Sequence, residues 1–357
     1  MALSESQAEF KQYFDNTVLS GYKALGIALG HRLGLFDVLA KFDTPKTSQE
    51  IADAANYKER YVREWLGLMV VSKIITMDTA SATYILPRDH VAAVTSPVAM
   101  FSWNIPLFGS LNPSIMECFK LDGPKGIPYQ KDDIFHSWYD SRRGEEYGQE
   151  LCQKLIPSVP GLRNILENGG QVCDIGCGTA TGITPHFAKQ FPASTFYGID
   201  ILPSAIEKIT ASAKEMGLTN TRYATYDAAD LPDGEWTDKF DWLFTRDVLH
   251  DIARPEMGAK EIFRTCKPGG YFSVIELDLD DNPVTNANIA FAPAIYCASL
   301  HRCIPMSLND DGAGLGATWG RENASKLLRS VGFEIVFAKS IDFDTHNCHI
   351  LARKPTE

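Results

Sequence analysis

From Gln171 to Arg353 the chain alternates short apolar runs with amphipathic stretches, and few folds accept that pattern. The runs at 171–175, 195–200, 221–226, 240–246, 271–277, 333–341 and 346–353 read as strands. Helical spacing fills 182–190, 202–216, 255–267 and 321–331. A strand that continues through a helix into the next strand pairs parallel to its neighbour, so the expected fold class is α/β, a parallel-centred sheet with helices on both faces. Only a few residues around His346 separate the last two strands, which predicts an antiparallel hairpin at one edge.

The preceding residues follow another rule. Tyr22 to Phe42 carries Leu25, Leu29, Leu33 and Phe36 at three- and four-residue spacing, the signature of a helix with one apolar face. Thr47 and Glu50 form an N-cap and N3 pair, opening a short helix to Ala55. A second helix, Lys58 to Ser72, aligns Val62, Trp65, Leu66, Met69 and Val70, and a hairpin of 73–77 with 82–86 follows. Helix, helix, hairpin is the winged-helix pattern. Four cationic residues against two glutamates on 58–73 make a weak electrostatic footprint for DNA in a chain of formal charge −11. The expected roles of 1–90 are dimerisation, through Trp65 and Met69, and cover for a substrate. His31-Arg32 reads as a helix-surface pair. Residues 91–160 read as an aromatic-rich connector with helical pieces, 161–357 as the α/β domain, and 279–320 as an insertion.

The chemistry gathers at the strand ends. Val172-Cys173-Asp174-Ile175-Gly176-Cys177-Gly178-Thr179-Ala180-Thr181-Gly182 turns on glycines that let the backbone approach a ligand. The spacing does not fit a dinucleotide fingerprint, because Thr181 stands where Gly or Ala is needed. Asp174 also suits a cationic ligand better than a pyrophosphate. Asp200 closes the second strand, placed to accept both hydroxyls of a ribose. Asp227-Ala228 follows the third, where an acid and an amide can pair with an adenine edge. A carboxylate alone at a strand end caps the next helix. Three at successive strand ends beside a glycine turn mark one crevice.

On these residues the chain resembles the class I S-adenosylmethionine-dependent methyltransferases, a Rossmann-like seven-stranded fold, and the small-molecule members that carry an N-terminal winged helix. The resemblance implies strand order 3-2-1-4-5-7-6, S-adenosylmethionine as cofactor and S-adenosylhomocysteine as product. It places Asp174, Gly176, Gly178, Thr179 and Gly182 at the methionine end, Asp200 and Ile201 at the ribose, and Asp227 and Ala228 at the adenine. Arg246 and Asp247 follow as cofactor-side residues. His250, in Thr245-Arg246-Asp247-Val248-Leu249-His250-Asp251, matches the general base of winged-helix O-methyltransferases, oriented by Asp251 or another acid. Glu276 corresponds loosely to a second acid of those enzymes, and the downstream segment departs from their pattern.

That segment, 279–320, holds Cys297, His301 and Cys303 and the run Gly312 to Gly320, and reads as a mobile lid over an acceptor pocket. Trp103, Tyr129 and Trp319 are the expected pocket aromatics. Cys297, His301 and Cys303 offer no fourth ligand, and His346, Cys348 and His349 alternate across an edge strand, so no metal is expected. Eight scattered cysteines without a CxxC pair read as reduced thiols, and the polar start lacks a secretory pattern, so the expected compartment is the cytoplasm. No nucleic-acid or membrane partner is expected; a homodimer is. The expected function is methyl transfer to O, S or N of a small, apolar acceptor. The alternative is a cofactor-sensing, DNA-binding regulator without catalysis.

Overall fold

Ser4 opens the longest helix, Glu5–Arg32: its hydroxyl accepts the Gln7 N–H while the Gln7 side chain accepts the Ser4 N–H. The computed structural model describes residues 4–128, 145–179 and 183–356, and they divide into two units, Met1–Ser110 and Leu111–Glu357. The expected connector residues contribute to both.

In the first unit the helix faces differently from its apolar spacing. Leu25 and Leu29 are exposed, and the buried positions are Gly26, Ala28 and Gly30. The reason is Trp65. A β-carbon on Gly30 would lie 2.3 Å from its ring, and its indole N–H donates to the Gly26 carbonyl at 2.9 Å. Packing against a tryptophan selects the smallest residues, not the most apolar ones. Left-handed Gly34 then breaks the expected continuous helix before Leu35–Ala40.

Thr47 and Glu50 form the expected capping box over the helix Ser48–Ala55. The helix Glu59–Val71 buries Val62, Trp65, Leu66 and Met69 against Leu35, Phe36 and Ile51. Trp65 and Met69 are therefore core residues, 5% and 0% exposed, and unavailable for the expected pairing between chains. Strands β1 (Lys46–Thr47), β2 (Thr76–Asp78) and β3 (Thr83–Ile85) form a small antiparallel sheet in the order β1-β3-β2. His31 hydrogen-bonds the Val94 carbonyl, and Arg32 lies over the Trp103 ring.

The second unit holds β4 (Gln171–Ile175), β5 (Thr195–Asp200), β6 (Thr221–Thr225), β7 (Phe240–Arg246), β8 (Cys266–Leu277), β9 (Glu334–Ile341) and β10 (Asp344–Arg353). Their order, β6-β5-β4-β7-β8-β10-β9, is the one expected, with β10 antiparallel to both β8 and β9. Alternate residues serve opposite layers. Val172, Trp242, Phe244 and Ile275 pack with Phe187, Leu155 and Leu162. Cys173, Leu243, Phe272 and Val274 pack with Ile262, Leu328 and Phe333. Burying both faces leaves the carboxyl ends of the parallel strands as the place for a ligand.

Residues 279–320 are partly helical, and the glycine run from Gly312 to Gly320 carries neither helix nor strand. Pro283–Asn286, Ala292–Ala298, a π-helical turn Ser299–Cys303 and Ile304–Asn309 enclose a small core of Leu279, Ala292, Ile295, Cys303 and Ala317. Among the described residues, no helix is long and apolar enough to cross a membrane.

Candidate functional site

The glycine turn after β4 is built by its neighbours. Gly176 and Cys177 donate their N–H groups to the Ile199 carbonyl at 2.8 and 2.9 Å. Gly176 (φ 73°) and Gly178 (φ 67°) are left-handed, a region that strains residues with a β-carbon. The two differ in purpose. A β-carbon at Gly176 would fall 2.5 Å from the Val248 side chain, whereas one at Gly178 meets nothing within 4 Å. Gly176 is small for packing, and Gly178 faces the opening.

Asp174 is 3% exposed and accepts from the Thr184 hydroxyl at 2.5 Å. Asp200 stands beside the turn: Oδ2 accepts the Gly178 N–H at 3.0 Å and Oδ1 the Leu202 N–H at 2.9 Å. Its carboxylate thus fixes the glycine turn at the mouth of β5. Ile201 next to it is 59% exposed, a bare apolar side chain at a strand end. Asp227 accepts the Ala229 N–H at 2.8 Å and pairs with Arg254 at 2.7 Å; Ala228 packs against the core. Thr179 is buried, and Gly182 lies outside the described residues.

Beyond β7 the chain turns sharply. Asp247 is left-handed (φ 51°), its N–H bonds the Ile275 carbonyl and its carboxylate accepts from Asn347 at 2.6 Å. Arg246 pairs with Asp344 at 2.8 Å, joining β7 to β10. These two expected cofactor-side residues thus have partners on the C-terminal strand.

The turn Leu249–Asp251 presents His250, 4% exposed. Its Nδ1–H donates to Glu276 Oε2 at 2.6 Å, and its backbone N–H to Oε1 at 3.3 Å. Nε2 lies 3.4 Å from Asp251 Oδ1 and 3.7 Å from Cys303 Sγ. Burial alone would hold the imidazole neutral, but Glu276 and then Asp251 outweigh it and raise His250 well above the ordinary histidine range. Burial acts the other way on the Cys303 thiol and raises it.

Glu276 is the orienting acid. The resemblance marks it as a loose counterpart of a second acid, and the parallel β7–β8 pairing brings it to His250. Val248 was not legible at all: two residues before His250, it fills the space that Gly176 lacks, so the histidine turn abuts the glycine turn.

Trp319 packs half-buried on the sheet core, and Trp103 ends the 3₁₀ turn Pro97–Trp103 of the first unit; Tyr129 lies outside the described residues. His301 bonds the Cys297 carbonyl and Asn112, each at 2.8 Å, and its Nδ1 lies 3.6 Å from Cys297 Sγ. His349 faces Ser158 and Phe337; burial, then Lys339, pushes it down to about 3.

Residues 21–96 match the model of the Rv2258c-like winged HTH domain, and residues 166–325 that of a methyltransferase domain. A curated relative, the 2-heptyl-1-hydroxyquinolin-4(1H)-one methyltransferase of Mycobacteroides abscessus, is 28% identical over 152 residues, 41% of this chain and 64% of the relative. The match therefore spans less than two thirds of that relative's length. Mitomycin 7-O-methyltransferase superposes with TM-score 0.70 at 16% identity, covering 98% of this chain and 99% of its own. Human N-acetylserotonin methyltransferase, solved with SAM, gives 0.59 at 22% identity, covering the whole of both chains. At such identities the structural likeness establishes the fold.

Proposed function

We propose, from the premise that this chain joins an N-terminal winged helix to a class I methyltransferase domain, that it transfers methyl from S-adenosylmethionine to O, S or N of a small acceptor. The observation that carries the reading is the His250–Glu276 pair, set against the glycine turn by Val248. The residues fit the cofactor: Gly178 leaves a space that a β-carbon would enter, and Asp200 stands beside it. Bound there, S-adenosylmethionine supplies an electrophilic sulfonium methyl.

The rest falls to the chain's own groups. Asp200 and Ile201 hold the ribose, Asp227 and Ala228 the adenine, and Asp174 with the glycine turn from Gly176 to Gly182 the methionine end. Arg246 and Asp247 steady the wall beside it. His250 Nε2 takes the acceptor's proton while Glu276 keeps Nδ1 protonated, because a deprotonated hydroxyl or thiol is the better nucleophile. The insertion 279–320 with Trp319 covers the acceptor. Incubation with labelled cofactor and a panel of hydroxyquinolones, phenols and thiols tests the activity, read as S-adenosylhomocysteine formed.

The base role carries a sign. Only neutral imidazole accepts the proton, so turnover in chelator-treated buffer rises with pH through an inflection above the usual histidine range. Glu276→Gln removes the largest raising influence and moves the inflection down. A profile unmoved by that change means another group titrates.

The protein acts as a homodimer in the cytoplasm, without a nucleic-acid or membrane partner. Phe10, Phe14, Val18, Tyr22, Leu25 and Leu29 form an exposed apolar stripe along Glu5–Arg32, a length that isolated monomers seldom leave uncovered. Phe14→Glu with Leu25→Glu is expected to shift light scattering from dimer to monomer, and a wild-type monomer at assay concentration removes the idea. On Glu59–Val71, Arg60 pairs with Glu64 and Arg63 with Glu59. Pairing of that kind supports a helix that does not grip DNA, and a gel shift on genomic fragments tests it.

A further inference from the structure

We propose that His250, Asp251 and Cys303 form a binding site for one thiophilic divalent cation, zinc foremost. The three side chains offer one nitrogen, one oxygen and one sulfur, all within 4.8 Å of one another. Nε2 stands 3.4 Å from the Asp251 oxygen and 3.7 Å from the Cys303 sulfur. A tetrahedral zinc with bonds of about 2.0–2.3 Å spaces its ligand atoms roughly 3.3–3.8 Å apart. The nitrogen–oxygen and nitrogen–sulfur separations thus already match a coordinated ion.

Three further observations concur. Glu276 holds the other imidazole nitrogen at 2.6 Å, the carboxylate–histidine arrangement that fixes a metal-binding tautomer. Asp251 Oδ1 is shielded from solvent yet receives no hydrogen bond among the described residues. A desolvated carboxylate oxygen is costly without a partner, and a cation supplies one. The charges also close: Asp251, Glu276 and a Cys303 thiolate meet a divalent ion and the guanidinium of Arg302, 3.9 Å from Asp251 Oδ2. The sulfur selects zinc or cobalt over magnesium, and three protein ligands leave a fourth position open. Cys303 arrives on the π-helical turn Ser299–Cys303, the kind of helical irregularity that recurs at functional sites.

Binding releases the thiol proton and any proton on Nε2 to solvent, and it engages the lone pair the general base needs. On the reading of His250 as that base, the cation-loaded protein is silent.

The test begins with chelator-treated full-length protein titrated with cobalt and with zinc. Expected are one cobalt per chain with a sulfur-to-metal charge-transfer band, displacement by zinc, and a higher melting temperature with metal. Cys303→Ser should lose the band and the thermal shift; should it not fold, Asp251→Asn is read for lost affinity instead. No band in the wild type, or saturable uptake equal in the folded variant, overturns the site, leaving Cys303 and His250 a thiol–imidazole contact. In the methyl-transfer assay, saturating zinc should cut turnover about tenfold or more, reversibly by chelator. Uptake accompanied by faster turnover leaves the site standing and removes the base reading.

Discussion

His250→Ala is expected to lower turnover by about 10²–10⁴-fold while S-adenosylmethionine affinity barely changes, the loss typical of an absent general base. Burial of the imidazole and its bonds to Glu276 complicate the variant, because Ala leaves that buried carboxylate without its main partner. His250→Gln keeps an amide donor for Glu276 and supplies no base. Equal losses in both variants at unchanged melting temperature assign the defect to proton transfer. A loss confined to Ala, accompanied by a lower melting temperature, makes His250 structural. A thiol acceptor, already partly ionised at neutral pH, shrinks the loss to about tenfold. Full turnover in either variant excludes the base.

Asp200→Ala should weaken cofactor binding by about thirty- to several-hundred-fold, from roughly 2–4 kcal/mol of lost charge-assisted hydrogen bonds. The carboxylate also accepts the Gly178 and Leu202 N–H groups, so its loss frees the glycine turn as well as the ribose. Asp200→Asn separates the two effects: one amide oxygen still serves a backbone N–H, while the paired acceptor for a diol is gone. Calorimetry showing wild-type affinity for both variants would refute the placement of the ribose at β5.

The sheet was legible because each strand carries its own evidence. Val172, Trp242 and Phe244 pack on one side, Cys173 and Leu243 on the other, and so the apolar runs are unbroken where both faces are buried. The long first helix misleads for a related reason. Its leucines are spaced for a core, yet the surface it meets is made by Leu68 and Met69, which need Gly26, and by Trp65, whose ring needs Gly30; apolar periodicity registers large residues and is blind to that fit. Asp174, Gly178 and Asp200 stand at the strand ends where the sequence puts them, because the apolar runs of β4 and β5 end there. Of the partners of His250, Asp251 is its chain neighbour and Glu276 was expected only loosely, as a second acid; Cys303 was not expected there. Glu276 comes within reach through strand pairing, and Cys303 through a turn of the insertion that sits 53 positions downstream, neither of which local sequence encodes.

On the proposed function, the packing of Val248 over Gly176 couples the affinities of the two substrates. Whatever braces the glycine turn also braces Val248, and His250 follows it by two residues. A cofactor held at that turn therefore presents the acceptor with a histidine already stiffened, and the ordering cost falls on the first ligand to arrive. Thermodynamic linkage makes the favour mutual: an acceptor analogue resting on His250 must tighten the cofactor by the same factor by which the cofactor tightens it.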